Sequence, residues 1–443
     1  MDGSLRGVRA VRLAERLEQD GYDGYAYSYP HKTAYRPLEP AVPLTQAWQE
    51  EDKSRLFLYV HLPFCEMRCG FCNLFTTVRP PEELVERTLS SIARQARVVA
   101  ECIAPEGVAQ AAVGGGTPSY LSEVQLERLF ADLSSSWPVR WSRIPVSVEL
   151  SPATVTPGKL ALLRELGVER VSLGVQSFVA AELAALKRPQ QAGEVERACS
   201  AIRAAGFAIF NLDLIYGQED QSAASWEESL ERALAWRPEE LYLYPLYVGK
   251  RTNLDVLGKR PGARRQELYR VGRDRLLASG YRQLSMRSFR RTEVRRCSDY
   301  CCQEDGMVGL GPGARSYTRA LHYSSEYAVA QTGVRRIVDS FAERDFSRAD
   351  YGVRLDDSEQ KLRWLIKSLL RAEGVALSGY RERFASSLED DHPRLGELLE
   401  AGLAERSCDR LKLTEEGLAR SDTLGPWLYS EAMSERMASY TLW

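Results

Sequence analysis

The 443-residue chain contains no run of 18 uninterrupted apolar residues, so it predicts no membrane-spanning helix. Its start, residues 1–10, lacks the apolar core of a secretion signal and reads as mature chain. Neither charge is in excess: 59 Lys and Arg face 61 Asp and Glu, a net charge of -2, so no global field draws the chain to nucleic acid or to a membrane surface. The even cysteine count of a disulfide framework is also lacking. The cysteines number nine, and Cys102, Cys199 and Cys408 stand alone, which fits metal-bound and free thiols in a reducing cytoplasm.

Hydrophobic residues make up 44% of the chain, enough for a sizeable core. The length suggests two or three domains, or a barrel with appendages. Residues 1–50 read as an N-terminal extension wrapping the core. Helical charge patterning over 8–19 gives way to a Tyr- and Pro-rich stretch at 22–43, whose prolines forbid regular structure. Residues 51–320 read as the main domain and 321–443 as a C-terminal domain. The latter suggests short helices at 362–373, 377–384 and 395–402 and a β-wing over 411–417. That winged-helix-like outline is acidic, with Glu389, Asp390, Asp391, Glu397 and Glu400, and its wing offers only Arg410 and Lys412. A lid or packing role fits better than a phosphate-binding one.

The main domain alternates strand and helix. Strands are expected at 56–62, 109–113, 145–150, 170–175, 209–215 and 240–247, with helices at 81–104, 122–134, 157–166, 194–205 and 225–235. Such alternation implies parallel pairing through right-handed crossovers, in either a barrel or an open doubly wound sheet. The notable polar residues fall at strand C-termini, where barrels build their sites, and six units fall short of eight. The expected fold is therefore α/β: a partial (β/α)6 barrel of the TIM type with a small, mostly helical, winged-helix-like C-terminal domain.

Directly after the first strand come Cys65, Cys69 and Cys72, a C-x3-C-x2-C run. Three thiolates are one short of the four that close a cubane iron–sulfur cluster, leaving one iron able to bind a small molecule. A structural zinc needs four N or S ligands. His61 is the nearest fourth, but it lies within the strand, with Pro63 and Phe64 before Cys65. The second strand ends in Gly114-Gly-Gly-Thr-Pro118, where glycines let backbone approach a ligand closely.

The cysteine spacing, with Phe71 before Cys72, resembles the radical S-adenosylmethionine (SAM) superfamily. Tyr59-Val-His-Leu-Pro-Phe-Cys65, Gly114-Gly-Gly-Thr-Pro-Ser-Tyr-Leu121, Leu173-Gly-Val-Gln-Ser-Phe178 and Asp213-Leu-Ile-Tyr-Gly217 are similar to the family of oxygen-independent coproporphyrinogen dehydrogenases and haem chaperones, HemN and HemW. The resemblance runs from about residue 56 to 317 and returns over 377–417. It implies a [4Fe–4S] cluster on Cys65, Cys69 and Cys72, chelated at its fourth iron by SAM. It places SAM contacts at Tyr59, Phe71, Gly115, Gly116, Thr117, Glu149, Gln176, Arg188 and Asp213. Arg188 suits a carboxylate, Glu149 and Asp213 suit ribose hydroxyls or an ammonium, and Phe71 suits the adenine. It implies reductive cleavage of SAM to a 5′-deoxyadenosyl radical that acts on a small-molecule or peptide-derived substrate, with an electron from a flavodoxin or ferredoxin.

The chain also departs from these relatives. Where the dehydrogenase has a further cysteine, two positions after the third ligand, this chain has Leu74. Where the chaperone has its histidine signature, this chain has Cys297-Ser-Asp-Tyr-Cys-Cys302. Coproporphyrinogen decarboxylation and haem carriage are thus alternatives to a methylase or cyclopropanase type of reaction. Cys302 is a candidate catalytic thiol beside Glu149, set against the plain reading of Cys297, Cys301 and Cys302 as small buried hydrophobes. Gly309, Gly311 and Gly313 lie where some relatives place a second SAM. Arg251, Arg287, Arg290 and Arg291 read as a solvated basic face in preference to an acidic-substrate site.

Overall fold

A computed structural model describes residues 12–18, 22, 24–191, 193–294 and 303–441. The expected strands and helices form in order: β1 (Leu56–Leu62), α1 (Glu82–Ile103), β2 (Val108–Gly115), α2 (Glu123–Ser136), β3 (Val146–Leu150), α3 (Pro157–Glu165), β4 (Arg170–Gln176), α4 (Glu194–Ala205), β5 (Ile209–Tyr216), α5 (Ala223–Ala235) and β6 (Glu240–Pro245). Local chemistry sets their ends. Ser122 and Gln125 form a reciprocal capping box at the start of α2, Thr156 caps α3 ahead of Pro157, and Gly206 ends α4 in the left-handed region. Along α1, Val85, Leu89, Ile92, Ala96, Val99 and Ile103 form the buried stripe that lays the helix on the sheet.

The six strands are parallel and adjacent in chain order. A doubly wound sheet would reverse its strand order at a switch point; an unbroken order is that of a barrel wall. The wall is longer than the six expected strands. Met307–Leu310 pairs parallel with β1 on its far side, and Arg315–Tyr317, Leu321–Ser324 and Arg348–Arg354 continue it antiparallel. Beyond β6, Ser288–Arg291 adds antiparallel; with Tyr281–Gln283 at that end and Arg36–Pro43 at the other, the sheet has 13 strands.

One terminal strand of that sheet is Arg36–Pro43, a segment expected to be irregular on account of Pro37, Pro40 and Pro43. It pairs with Arg348–Arg354 across a register shift between Pro37 and Val42. An edge strand uses only one of its hydrogen-bonding sides, so prolines facing the open side cost no ladder bond.

Two compact units result, divided differently from the expected boundaries near 50 and 320. The barrel unit holds Arg36–Arg282 and Arg287–Arg354, so residues 36–50 and 321–354 belong to it. The second unit joins the described residues up to Tyr35 with Gln283–Met286 and Leu355–Thr441. There the buried Tyr29 hydroxyl donates to Glu359, and Arg363 donates to the Tyr29 carbonyl at 2.6 Å. The expected wing is a three-stranded antiparallel sheet of Val375–Ala376, Arg410–Leu413 and Ala404–Arg406 among short helices.

Within the barrel unit, alternation divides each strand. Leu56, Leu58, Val60 and Leu62 share one face of β1, and Phe57, Tyr59 and His61 the other. The second face, continued by Glu149, Ser172, Asp213 and Glu240, carries the polar groups of the site.

Candidate functional site

Just past β1, Phe64–Cys65 pairs with Thr77–Val78 and closes a loop carrying Cys69 and Cys72. The loop is pinned by its own backbone. The Gly70 N–H donates to the Leu186 carbonyl at 2.9 Å, and the Leu254 N–H donates to the Gly70 carbonyl at 2.9 Å. A Cβ on Gly70 would lie 2.7 Å from the Leu186 oxygen, so only glycine fits. The thiols feel one another. Burial pushes Cys65 up to about 12, Cys72 and Cys69 adding to the rise; burial raises Cys72 as well. Left to themselves such thiols keep their protons, whereas metal coordination deprotonates them outright. Among the described residues no three His, Cys, Asp or Glu side chains close on a single metal ion. One zinc gathers its ligands around a single ion, whereas a cubane gives each thiolate its own iron.

The end of β2 is moulded onto this loop. The Gly116 N–H donates to the Leu62 carbonyl at 2.8 Å and the Thr117 N–H to the Phe64 carbonyl at 2.7 Å, while the Thr117 hydroxyl lies 3.6 Å from Cys65 Sγ. A Cβ on Gly116 would stand 2.5 Å from the Phe64 oxygen and 3.0 Å from Cys65 Sγ. Gly115 has φ +110°, and a Cβ there would meet the His61 ring at 2.6 Å. His61 Nε2 lies 3.0 Å from the Phe75 carbonyl, so Nε2 carries the hydrogen. His61 Nδ1 lies 3.4 Å from the Tyr59 hydroxyl. Tyr59 itself is half-buried against Phe57, Ala112, Met307 and Tyr317.

Glu149, at the end of β3, lies over Gly114, where a Cβ would be 2.9 Å from the carboxylate. Its Oε2 accepts the Gly115 N–H at 3.1 Å. Burial raises Glu149 to about 7, with Asp213 adding to the rise and the Gly115 bond opposing it. Asp213, on β5, accepts from Ser172 at 3.1 Å and Asn211 at 2.8 Å; burial lifts its carboxyl above the usual range. Behind it, Arg170 and Arg290 converge on Glu240 at 2.8 and 2.9 Å, all three buried. Two charged residues of this triad, Arg170 and Glu240, were missed in the sequence; their parity with Ser172 and Asp213 along alternating strands was the available signal.

The strand β4 ends in a register irregularity between Gly174 and Gln176, and Gln176 has φ +72°. A bulge of this kind re-aims a side chain. Gly174 makes room for it, since a Cβ there would lie 2.9 Å from Gln176 Nε2. Arg188 is buried and turned inward: Nη1 lies 2.9 Å from Cys69 Sγ, Nη2 donates to the Gly174 carbonyl at 2.5 Å and Nε donates to Gln190 at 3.1 Å. Phe71 packs on Leu186, Ile215, Leu246 and Leu254.

The family model of the radical SAM superfamily matches residues 59–233. The haem chaperone HemW of Bacillus subtilis is 28% identical over 390 residues, 84% of this chain and 98% of its own. The oxygen-independent coproporphyrinogen III oxidase of Pseudomonas aeruginosa is 28% identical over 413 residues, 90% of this chain and 88% of its own. Over most of its length, at about 28% identity, the chain is similar to the HemN/HemW-like family of the radical SAM superfamily. The solved coproporphyrinogen III oxidase (HemN) of Escherichia coli shares the fold, with a TM-score of 0.78 at 22% identity, covering 91% of this chain and 96% of that one. Membership of the radical SAM superfamily implies a [4Fe–4S] cluster and SAM. The donor set fits: three mutually close thiols, a neighbouring glycine turn without side chains, and a cationic donor on Cys69.

The remaining expected residues divide. Cys297, Cys301 and Cys302 lie outside the described residues. Gly309, Gly311 and Gly313 are filled by the chain itself. Cβ atoms there would stand 2.2 Å from the Arg315 carbonyl oxygen, 2.3 Å from the His61 carbonyl oxygen and 2.6 Å from the Phe75 ring. Arg287 and Arg290 are buried, so these two form no solvated basic face; Arg290 is held by Glu240 inside the barrel. No helix among the described residues is long and apolar enough to cross a membrane.

Proposed function

We propose that this radical SAM protein is an enzyme that cleaves SAM reductively and directs the resulting radical at a small-molecule or peptide-derived substrate, in the manner of a HemN-like oxidoreductase or carbon-transferring methylase or cyclopropanase. When bound, the [4Fe–4S] cluster and SAM supply the 5′-deoxyadenosyl radical; the protein supplies position and shielding. Cys65, Cys69 and Cys72 would hold three irons. The strand end at Gly115, Gly116 and Thr117 would receive the methionyl amine, with Glu149, Gln176 and Asp213 lining the rest of SAM and Tyr59 and Phe71 bounding it. One observation carries this reading: Cys65 with Thr117, Cys69 with Arg188, and Gly115 with Glu149 are joined by direct contacts at the C-terminal ends of neighbouring strands.

Arg188 is engaged by Cys69 and Gly174, so its role here is to orient the cluster loop as well as to meet a carboxylate. A second SAM at Gly309 to Gly313 draws no support from those glycines, whose Cβ positions are occupied. Cys302→Ala would separate SAM cleavage, which should persist, from any later thiol step, which should not. The protein would work in the cytoplasm with a flavodoxin or ferredoxin, apart from nucleic acid and membrane.

The test is anaerobic incubation of cluster-loaded protein with dithionite and SAM. Formation of 5′-deoxyadenosine is expected, and its absence rejects the reading. The relatives include both a chaperone and an oxidase, and Leu74 and Cys297 to Cys302 depart from each. Tight stoichiometric haem binding without SAM cleavage would make the protein a carrier instead.

A further inference from the structure

Cleavage of SAM consumes one electron per event, and that electron reaches the cluster from outside the chain. The cluster loop meets the surface at Asn73 and Leu74, both exposed, with Leu74 at 48%. Two segments frame it. On one side Leu186 accepts from Gly70, and a Cβ on Gly70 would lie 2.9 Å from Lys187 Cβ. On the other, a Cβ on Gly249 would rest 3.6 Å from Asn73 Cβ, and Leu254 donates to Gly70. These framing segments carry Lys187, Lys250 and Arg251, all exposed. Among the described residues no salt bridge engages any of the three. Nearby cations are paired: Lys259 with Glu219 at 3.5 Å, Arg260 with Asp255 at 3.8 Å, Arg264 with Glu267 at 2.5 Å.

The basic character is local. Across residues 248–264 there are five cationic side chains and one carboxylate, in a chain whose net charge is -2. The same segment leaves Val256 and Leu257 exposed at 78% and 55%. Unpaired cations beside bare aliphatic side chains form a rim and a patch suited to transient protein contact, where charge steers encounter and apolar area holds it. Lys187 and the segment that carries Lys250 and Arg251 lie against the cluster loop, so whatever they attract is brought beside Asn73 and Leu74.

We propose that the surface formed by Lys187, Lys250 and Arg251 around Asn73 and Leu74 is the docking face for an acidic one-electron carrier protein of the flavodoxin or ferredoxin type. This rests on the radical SAM reading and adds the place of reduction to it. One electron passes from the reduced carrier to the cluster; the carrier is oxidised by one electron, the cluster reduced by one, and no proton need move. Steering by three unpaired charges raises the encounter rate and is screened by salt over roughly 10 Å at 0.1 M.

The experiment uses full-length, cluster-loaded protein and fully reduced flavodoxin, with the cluster's visible absorbance followed by stopped flow. The triple variant Lys187→Glu, Lys250→Glu, Arg251→Glu should be reduced at least tenfold more slowly than the unaltered chain at low ionic strength, and the gap should close as salt is added. Equal rates at low salt, with equal salt dependence, would overturn the proposal. Dithionite is too small to need a docking face, so dithionite-driven 5′-deoxyadenosine formation should be the same in both proteins. Loss of that product in both would overturn the enzymatic reading while leaving the flavodoxin comparison decisive for docking. Should the reversed variant fail to load its cluster, the triple glutamine variant is measured in its place, with a smaller slowing expected and none overturning the proposal.

Discussion

Arg188 Nη1 lies 2.9 Å from Cys69 Sγ, so a buried guanidinium donates to one of the three sulfurs that would ligate the cluster. Hydrogen bonds to cluster sulfurs withdraw electron density and raise the reduction potential. A charge-assisted bond is worth about 1.5 kcal/mol or more, which for one electron is roughly 60 mV. Arg188→Met should therefore lower the midpoint potential of the loaded cluster by tens of millivolts, read by an EPR-monitored redox titration. An unchanged potential would limit Arg188 to holding the Gly174 carbonyl.

Gly116 is the tightest joint between the glycine turn and the cysteine loop. In Gly116→Ala the new methyl would press on the Phe64 carbonyl at 2.5 Å, which is backbone and has little room to yield, and on Cys65 Sγ at 3.0 Å. Iron bound per chain after reconstitution should fall at least twofold. Gly396→Ala, whose Cβ meets nothing within 4 Å, should load normally.

Glu149 gives the fold a pH dependence with a defined sign. Burial holds its carboxyl at about 7, above the 4.5 of an ordinary glutamate. An acid whose pKa rises on folding contributes stability that is fully present below about 4.5 and is lost as pH rises through about 7. Glu149→Gln keeps the acceptor for the Gly115 N–H and cannot ionise. The variant should match the unaltered chain at about pH 4 and exceed it at pH 8 by on the order of 1–3 kcal/mol in denaturant unfolding. Identical pH profiles would show that the carboxylate is solvated after all.

The interior triad sets a second stability test. Glu240 lies between Arg170 and Arg290, and pairing with both keeps it below the usual carboxylate range against the effect of burial. Glu240→Gln removes the charge on which both buried guanidiniums converge, a loss of about 3–5 kcal/mol. Thermal unfolding should show it as a drop of several degrees in Tm.

Much of the barrel was legible because its signals are local. Alternation of strand and helix, a serine cap before α2 and a proline at the start of α3 fix six strands and the five helices between them within a residue or two. The cluster loop and the residues on strand ends were legible for the same reason. What escaped was long-range. Met307–Leu310 has four residues and takes its place only by pairing with Phe57 to Val60, some 250 positions earlier. Arg36–Pro43 looked unstructured because prolines break interior strands, and nothing local says a strand will lie at an edge. The inward turn of Arg188 onto Cys69 depends on Leu186 and Lys187 lying against Gly70, a contact no spacing encodes.

The Gly309 to Gly313 turn carries a lesson for reading other chains. Its three glycines are the places where one segment crosses the Arg315, His61 and Phe75 positions at contact distance. They act as a rivet: a side chain at Gly311 would press on the His61 backbone of β1, one at Gly309 on the Arg315 backbone, and one at Gly313 on the Phe75 ring. A homologue that keeps this glycine spacing has thereby declared its architecture, and the number of ligands it takes must be read from other residues.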